Sequence, residues 1–149
     1  HLIQEEVFKR QIDLANKLNK PILIHSRDSI QKTYDLLKSH PVNRKGIMHC
    51  YSSSLEMAKE FIKLGYFISL AGPVTFKNAH VPVEVAMGID LDHLLIETDS
   101  PYLTPHPFRG KRNESAYVKV TGEKVAELRK ITSEELQAQL SANYSKLFE

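Results

Sequence analysis

Two histidines and an aspartate stand at equivalent places in this sequence, each at or beside the end of a short apolar run. The runs cover residues 21–25, 46–51 and 94–98, and they bring His25, His49 and Asp99 to their ends. Continuous apolar runs are typical of parallel strands covered on both faces, and the carboxyl ends of such strands share one edge of the sheet. Imidazoles and carboxylates bind Zn²⁺, Mn²⁺ and related ions. The three residues therefore predict a metal site, in which Asp99 is a ligand and the candidate general base.

Each of these signals is weak by itself, because a single histidine after a strand is more often a hydrogen-bonded core or loop residue than a ligand. Recurrence at successive strand ends favours the metal site. Glu97 lies two residues before Asp99, so strand alternation predicts that both face the same side. We predict that Glu97 supports the site; the alternative is a structural carboxylate paired with a lysine or arginine. The same alternation turns Cys50 away from His49 and predicts that it lies in the core.

A basic segment follows Asp99. Arg109, Lys111 and Arg112 surround a glycine that lets the backbone approach a ligand, and they could hold phosphates. Glu114, at the end of this segment, is a predicted supporting residue. The alternatives are a solvated basic turn or an arginine paired with Glu114. Arg27, two residues beyond His25, is open to both interpretations, and His106 is either a substrate contact or a solvated loop residue.

The elements that must position these residues follow from periodicity and capping signals. Strands are predicted at 21–25, 46–51, 66–70 and 94–98, and helices at 2–19, 29–39, 53–64, 81–87, 115–130 and 132–147. Asp28 with Gln31, Ser53 with Glu56 and Thr132 with Glu135 are the expected helix-capping pairs, and Gly65 is the expected left-handed end of the third helix. Alternating strands and helices predict a parallel α/β domain.

Composition adds limits on function. The chain has 149 residues, of which 42% are hydrophobic and 26% charged, and its net charge of +2 argues against a broadly basic nucleic-acid surface. A membrane span and a signal peptide are not evident, and the single cysteine excludes an internal disulfide, so we expect a cytoplasmic protein with no membrane partner. Because the chain begins with His1, we expect it to be a fragment.

The residues around the predicted ligands resemble the TatD family of metal-dependent deoxyribonucleases. The segments concerned are Pro-Ile-Leu-Ile-His-Ser-Arg, Gly-Ile-Met-His-Cys-Tyr, Gly-Pro-Val-Thr-Phe, Glu-Thr-Asp-Ser-Pro-Tyr and Arg-Gly-Lys-Arg-Asn-Glu, in family order. The resemblance implies a (β/α)₈ TIM barrel with one or two divalent ions (Mg²⁺, Mn²⁺ or Zn²⁺). It also implies phosphodiester hydrolysis, often 3′ to 5′ on DNA. His25, His49 and Asp99 match metal-site positions of the family.

The sequence also departs from the family pattern. A His-x-His pair on the first strand and a glutamate on the fourth are both missing. We therefore expect residues 1–149 to be a single partial domain, the C-terminal half of the barrel with strands 5–8, which requires an N-terminal half to fold. A cooperative melt of the isolated monomer would contradict this. The expected function is DNA exonuclease activity through a metal-activated water, on single strands or 3′ ends. The alternatives are hydrolysis of a small amide, lactone or phosphoester, or an inactive fragment that completes its barrel with another chain.

Overall fold

A four-stranded parallel sheet organises the chain in the computed structural model, which describes residues 2–149. The strands are β1 (Ile22–His25), β2 (Gly46–His49), β3 (Phe67–Leu70) and β4 (Leu94–Ile96). They pair in the order β1-β2-β3-β4, with every pair parallel. Each crossover therefore moves one strand further in the same direction, as in a barrel wall, and does not reverse as in a doubly wound sheet. The predicted parallel α/β architecture is confirmed.

Six α-helices connect and flank these strands. They are α1 (Leu2–Lys17), α2 (Ile30–Ser39), α3 (Leu55–Lys63), α4 (His80–Gly88), α5 (Val118–Arg129) and α6 (Ser133–Phe148). Single turns of 3₁₀-helix lie at Gly72–Thr75, Leu91–His93 and Ser115–Tyr117. All six predicted helices are present, with ends shifted by a few residues. Among residues 2–149, the helices lack either the length or the apolar character that crossing a bilayer requires.

The capping signals had mixed success. Thr132 and Glu135 form the predicted capping box, with each side chain accepting the other's backbone N–H, at 3.1 and 2.7 Å. Gly65 has the expected positive φ of 93°.

The other two capping predictions were wrong. Ser54, not Ser53, caps α3, and its hydroxyl accepts the N–H of Met57 at 3.3 Å. The cap position of α2 is Ser29, without a side-chain bond, because the backbone at Asp28 turns to a positive φ of 25° before the helix starts. Gln31 instead donates along its own helix to Asp35.

The two faces of the sheet are covered differently. On one face Ile24, Met48, Ile68 and Leu94 join the main core and are at most 4% exposed. On the other face Ile47, Phe67 and Leu95 form a separate cluster with Leu147 of α6. Leu23, which shares this face by alternation, is 64% exposed. This second face is therefore open at Leu23 of β1, whereas Leu147 of α6 packs on it at β2, β3 and β4.

Asn143 anchors α6 against the sheet. It is 1% exposed, and its amide nitrogen donates to the carbonyls of Leu91 and Leu94, both at 2.7 Å. Its side-chain oxygen accepts from Gln139 at 2.9 Å. The bonds to two carbonyls at the start of β4 fix the position from which Leu147 reaches the sheet.

Replacing Asn143 with leucine is expected to lower the free energy of unfolding by about 2 kcal/mol, because two carbonyls lose their donor in a dry environment. Urea denaturation of the full natural chain measures this. Gln137→Leu, at an exposed residue of the same helix that makes no side-chain hydrogen bond within residues 2–149, is the matched control and should change stability by less than about 0.5 kcal/mol. Equal losses in the two variants would show that Asn143 is not the anchor.

Candidate metal centre

His49, Glu97 and Asp99 meet at the carboxyl edge of the sheet. One potential ligand atom from each lies within 4.8 Å of the other two. His49 Nδ1 is 2.8 Å from Glu97 Oε1, and His49 Nε2 is 3.3 Å from Asp99 Oδ1. The imidazole thus lies between two carboxylates. Within residues 2–149, this is the one group of three or more such side chains with the spacing of a metal site.

The sheet delivers His49 and Glu97 to this point from either side of β3. His49 is the last residue of β2, and Glu97 directly follows β4, where its N–H donates to Leu70 O at 3.0 Å. Glu97 Oε2 then accepts the N–H of Cys50 at 3.0 Å. One carboxylate therefore links the ends of two strands that are not neighbours in the sheet.

Asp99 reaches the imidazole through a turn and not through strand alternation. The predicted strand extended to residue 98, but β4 ends at Ile96. Asp99 has a φ of 57°, in the left-handed region, and its carbonyl accepts the N–H of Tyr102 at 3.0 Å. Aspartate is one of the few residue types that adopt this conformation readily. Glu97 and Asp99 face the same group as predicted, although the reason is a tight turn.

The unpartnered oxygen of Glu97 is the observation that tests the site for a metal. Oε1 is buried and has no hydrogen-bond partner within residues 2–149, because the nearby His49 nitrogen, although 2.8 Å away, is not aligned to donate. A buried anionic oxygen without a donor is costly. A divalent cation would supply the missing partner, and imidazole plus two carboxylates is a donor set for such an ion. The residues present fit a metal.

The alternative role of Glu97, a pair with lysine or arginine, does not occur in the described part of the chain.

His25 lies beside this cluster but outside its tightest part. Its Cα pairs in register with that of His49, and the two ring centroids are 6.0 Å apart. The His25 side chain is exposed, and its nitrogens are not among the atoms that lie within 4.8 Å of one another. Its assignment as a ligand stays a prediction. Arg27 is exposed on the loop after β1.

Cys50 is half-buried and not fully in the core as predicted. The backbone turns at this residue to a φ of 45°, so the simple alternation of a strand no longer applies. Burial, followed by the charges of Glu97 and Asp99, raises the pKa of its thiol to about 11. The thiol is therefore protonated at neutral pH and is not a nucleophile, since the thiolate is the reactive form.

The cationic residues after Asp99 are all exposed. Arg109, Lys111 and Arg112 make no ion pair with a carboxylate, within residues 2–149, and Glu114 is also exposed. The alternative of an arginine paired with Glu114 is therefore not observed. Their binding of phosphate stays a prediction.

Asn113 is a contributor to the site that the sequence did not reveal. It is 3% exposed, and its amide nitrogen donates to Thr98 O at 2.8 Å and Tyr102 O at 2.6 Å. These carbonyls lie on either side of Asp99, so the amide fixes both ends of the turn that carries the ligand. An asparagine within a charged run gives no sign of such a role beyond its place in the family-like segment.

Asn113→Leu is expected to weaken Mn²⁺ binding by about tenfold, because a ligand whose supporting hydrogen bonds are lost no longer holds its orientation. Titration of the full natural chain with Mn²⁺, followed by electron paramagnetic resonance, measures this. Asn143→Leu, at a buried asparagine that contacts the amino-terminal end of β4, controls for general destabilisation. A similar loss of Mn²⁺ affinity in both variants would contradict a specific role of Asn113.

Comparison with known proteins places this geometry in context. The uncharacterized metal-dependent hydrolase YabD of Bacillus subtilis is 50% identical over 147 residues, which are 98% of this chain and 58% of the relative. The uncharacterized metal-dependent hydrolase YcfH of Escherichia coli K12 is 40% identical over 146 residues, 97% of this chain and 55% of the relative. The chain thus spans little more than half the length of these relatives.

Solved structures agree with the sequence relatives. The crystal structure of YJJV, a TatD homologue from Escherichia coli, superposes with a TM-score of 0.88 at 33% identity, over 93% of this chain and 53% of that one. A TatD family hydrolase from Entamoeba histolytica shares the fold, with a TM-score of 0.82 at 20% identity over 95% of this chain and 55% of that one. These neighbours support the predicted barrel-type fold. The family model described as TatD related DNase matches residues 1–149, and the chain therefore belongs to the TatD family of metal-dependent hydrolases.

Proposed function

We propose that this chain is the C-terminal half of a TatD-type nuclease that hydrolyses phosphodiester bonds of DNA, from the 3′ end of single strands. The observation that carries the proposal is the imidazole held between two carboxylates on the same sheet edge as a loop with three unpaired cations. The relatives are nearly twice as long as this chain, so the proposal includes an N-terminal half that supplies the remaining barrel strands and ligands. The proposed compartment is the cytoplasm.

His49, Glu97 and Asp99 would hold one or two divalent ions, with His25 beside them. When bound, such an ion supplies Lewis-acid polarisation of a phosphoryl oxygen and lowers the pKa of a water molecule. Mg²⁺, Mn²⁺ and Zn²⁺ are the candidates, since histidine favours the latter two and carboxylates suit all three.

The chain's own residues divide the remaining tasks according to their burial. Asp99 is the more exposed carboxylate, with 32% of its side chain accessible against 18% for Glu97. This exposure supports a role for Asp99 in accepting a proton from the attacking water at its carboxylate. Glu97 would hold the ion from the buried side, and Cys50 contributes its backbone N–H to Glu97. The thiol of Cys50 takes no part.

The cationic residues support a phosphate-bearing substrate. The loop that leaves the metal cluster carries Arg109, Lys111 and Arg112. The next residue in the chain is Asn113, which fixes the Asp99 turn. A phosphodiester carries the negative charge that such residues neutralise, whereas an amide or lactone does not.

Asp99→Asn is expected to lower kcat for cleavage of single-stranded DNA with Mn²⁺ by about 100-fold to 10,000-fold, because the amide keeps the size of the side chain but accepts no proton. A gel assay on a 3′-labelled strand and the full natural chain measures this. Asp90→Asn, at an exposed aspartate before the turn Leu91–His93, is the matched control and should retain full activity. Undiminished cleavage by the Asp99 variant would remove that residue from the mechanism.

Lys111→Met together with Arg112→Met is expected to raise KM for DNA roughly tenfold, since two phosphate contacts are lost. Hydrolysis of bis(p-nitrophenyl) phosphate, which lacks the neighbouring phosphates of a DNA strand, should not change. If the double variant left DNA cleavage unaltered as well, a small-molecule substrate would become the better proposal.

A further inference from the structure

A cationic cavity lies between the loop after β3 and the loop after β4. Its volume is about 630 Å³. The two loops touch beside it, where the N–H of His106 donates to Thr75 Oγ1 at 2.9 Å and Thr75 Oγ1 donates to Gly72 O at 2.6 Å. A Cβ at Gly72 would lie 2.0 Å from Leu103 O, so only glycine allows this approach. The walls of the cavity are thus held together by contacts between the loops.

The lining of this cavity is suited to an anion with an apolar attachment. Lys77, His106 and Arg109 supply nitrogen donors, and none of the lining residues is acidic. Phe76 and two prolines, Pro73 and Pro82, supply the apolar surface. A nucleotide combines these two characters, because its phosphate is anionic and its sugar and base present apolar faces.

Arg109 is oriented within this cavity. Its guanidinium carbon lies 3.9 Å from the centroid of the Phe76 ring, which is a close cation–π contact. Stacking uses the face of the guanidinium and leaves the N–H groups at its edge available. Within residues 2–149, these groups form neither a hydrogen bond nor an ion pair. A guanidinium group held on an aromatic ring can bind a phosphate through two hydrogen bonds.

We propose that this cavity, the Arg109 pocket, binds one nucleotide of a DNA strand outside the scissile bond. Arg109 and Lys77 contact its phosphate, His106 completes the wall, and Phe76 is a positioning residue for Arg109. The inference rests on the proposed nuclease function. The proposal gives Arg109 a role different from that of Lys111 and Arg112. It also assigns a binding role to Lys77, which lies on the loop after β3.

Binding of a 5′-phosphorylated thymidine dinucleotide to the full natural chain in EDTA tests the proposal, because no cleavage occurs and the metal site is not involved. Arg109→Met and Lys77→Met should each weaken binding roughly threefold to tenfold. Each should also reduce the slope of log K against log salt by about one. Lys59→Met, at an exposed lysine of α3 outside the pocket, is the matched control and should bind like the wild type.

Variants at Phe76 test the positioning role. Phe76→Tyr keeps the aromatic face and should bind as the wild type does, whereas Phe76→Leu should weaken binding about threefold to fivefold, as expected for loss of an exposed cation–π contact. Circular dichroism of both variants shows whether the fold is intact. Equal binding by the two variants would overturn this role.

Three results would overturn the Arg109 pocket itself. These are no measurable binding of the dinucleotide by the wild type, unchanged binding by Lys77→Met, and binding of inorganic phosphate as tight as that of the dinucleotide. The nuclease proposal fails separately. If the dinucleotide binds through Arg109 and Lys77 but DNA is not cleaved with Mn²⁺, the pocket stands and the nuclease activity does not.

Discussion

The carboxylate of Glu97 is the constraint on which the edge of this sheet depends. It lies partly buried at the point where β2, β3 and β4 end, and its two oxygens meet different partners. One accepts the backbone N–H of Cys50, and the other faces His49 without an aligned donor. The bond to Cys50 fixes the side chain while Oε1 lacks a donor, and a cation would compensate the charge of this oxygen. The group that links the strand ends is therefore also the group proposed to bind the metal.

The sequence predicted those parts of the site that depend on strand ends. Buried parallel strands must terminate at a common edge, so the position of His49 could be inferred from its apolar run, whereas Asp99 reaches the same edge through a turn that the run did not predict. Capping was less predictable. Thr132 was predicted correctly as a cap because its pairing with Glu135 has no competitor. The run Ser52, Ser53 and Ser54 offers three candidate caps for α3, and only the backbone geometry selects Ser54.

The rest of the site depends on contacts that leave little trace in sequence. Asn113 acts through backbone carbonyls, which every residue possesses, so nothing in the sequence indicates its partners. The Arg109 pocket joins residues about 30 positions apart on two loops, and the cation–π pair with Phe76 follows from how those loops touch at Gly72. Side chains on loops are located by tertiary contacts, and periodicity describes only regular elements.

The contact between α6 and the sheet also has a consequence for biosynthesis. Asn143 follows Leu94, its partner in β4, by 49 residues, so ribosomes that add about 5–20 residues per second finish all four strands roughly 2–10 seconds before the anchor is made. During that interval Ile47, Phe67 and Leu95 lack Leu147, the residue that later packs on them. This face of the sheet therefore has no cover from α6 until that helix has been synthesised.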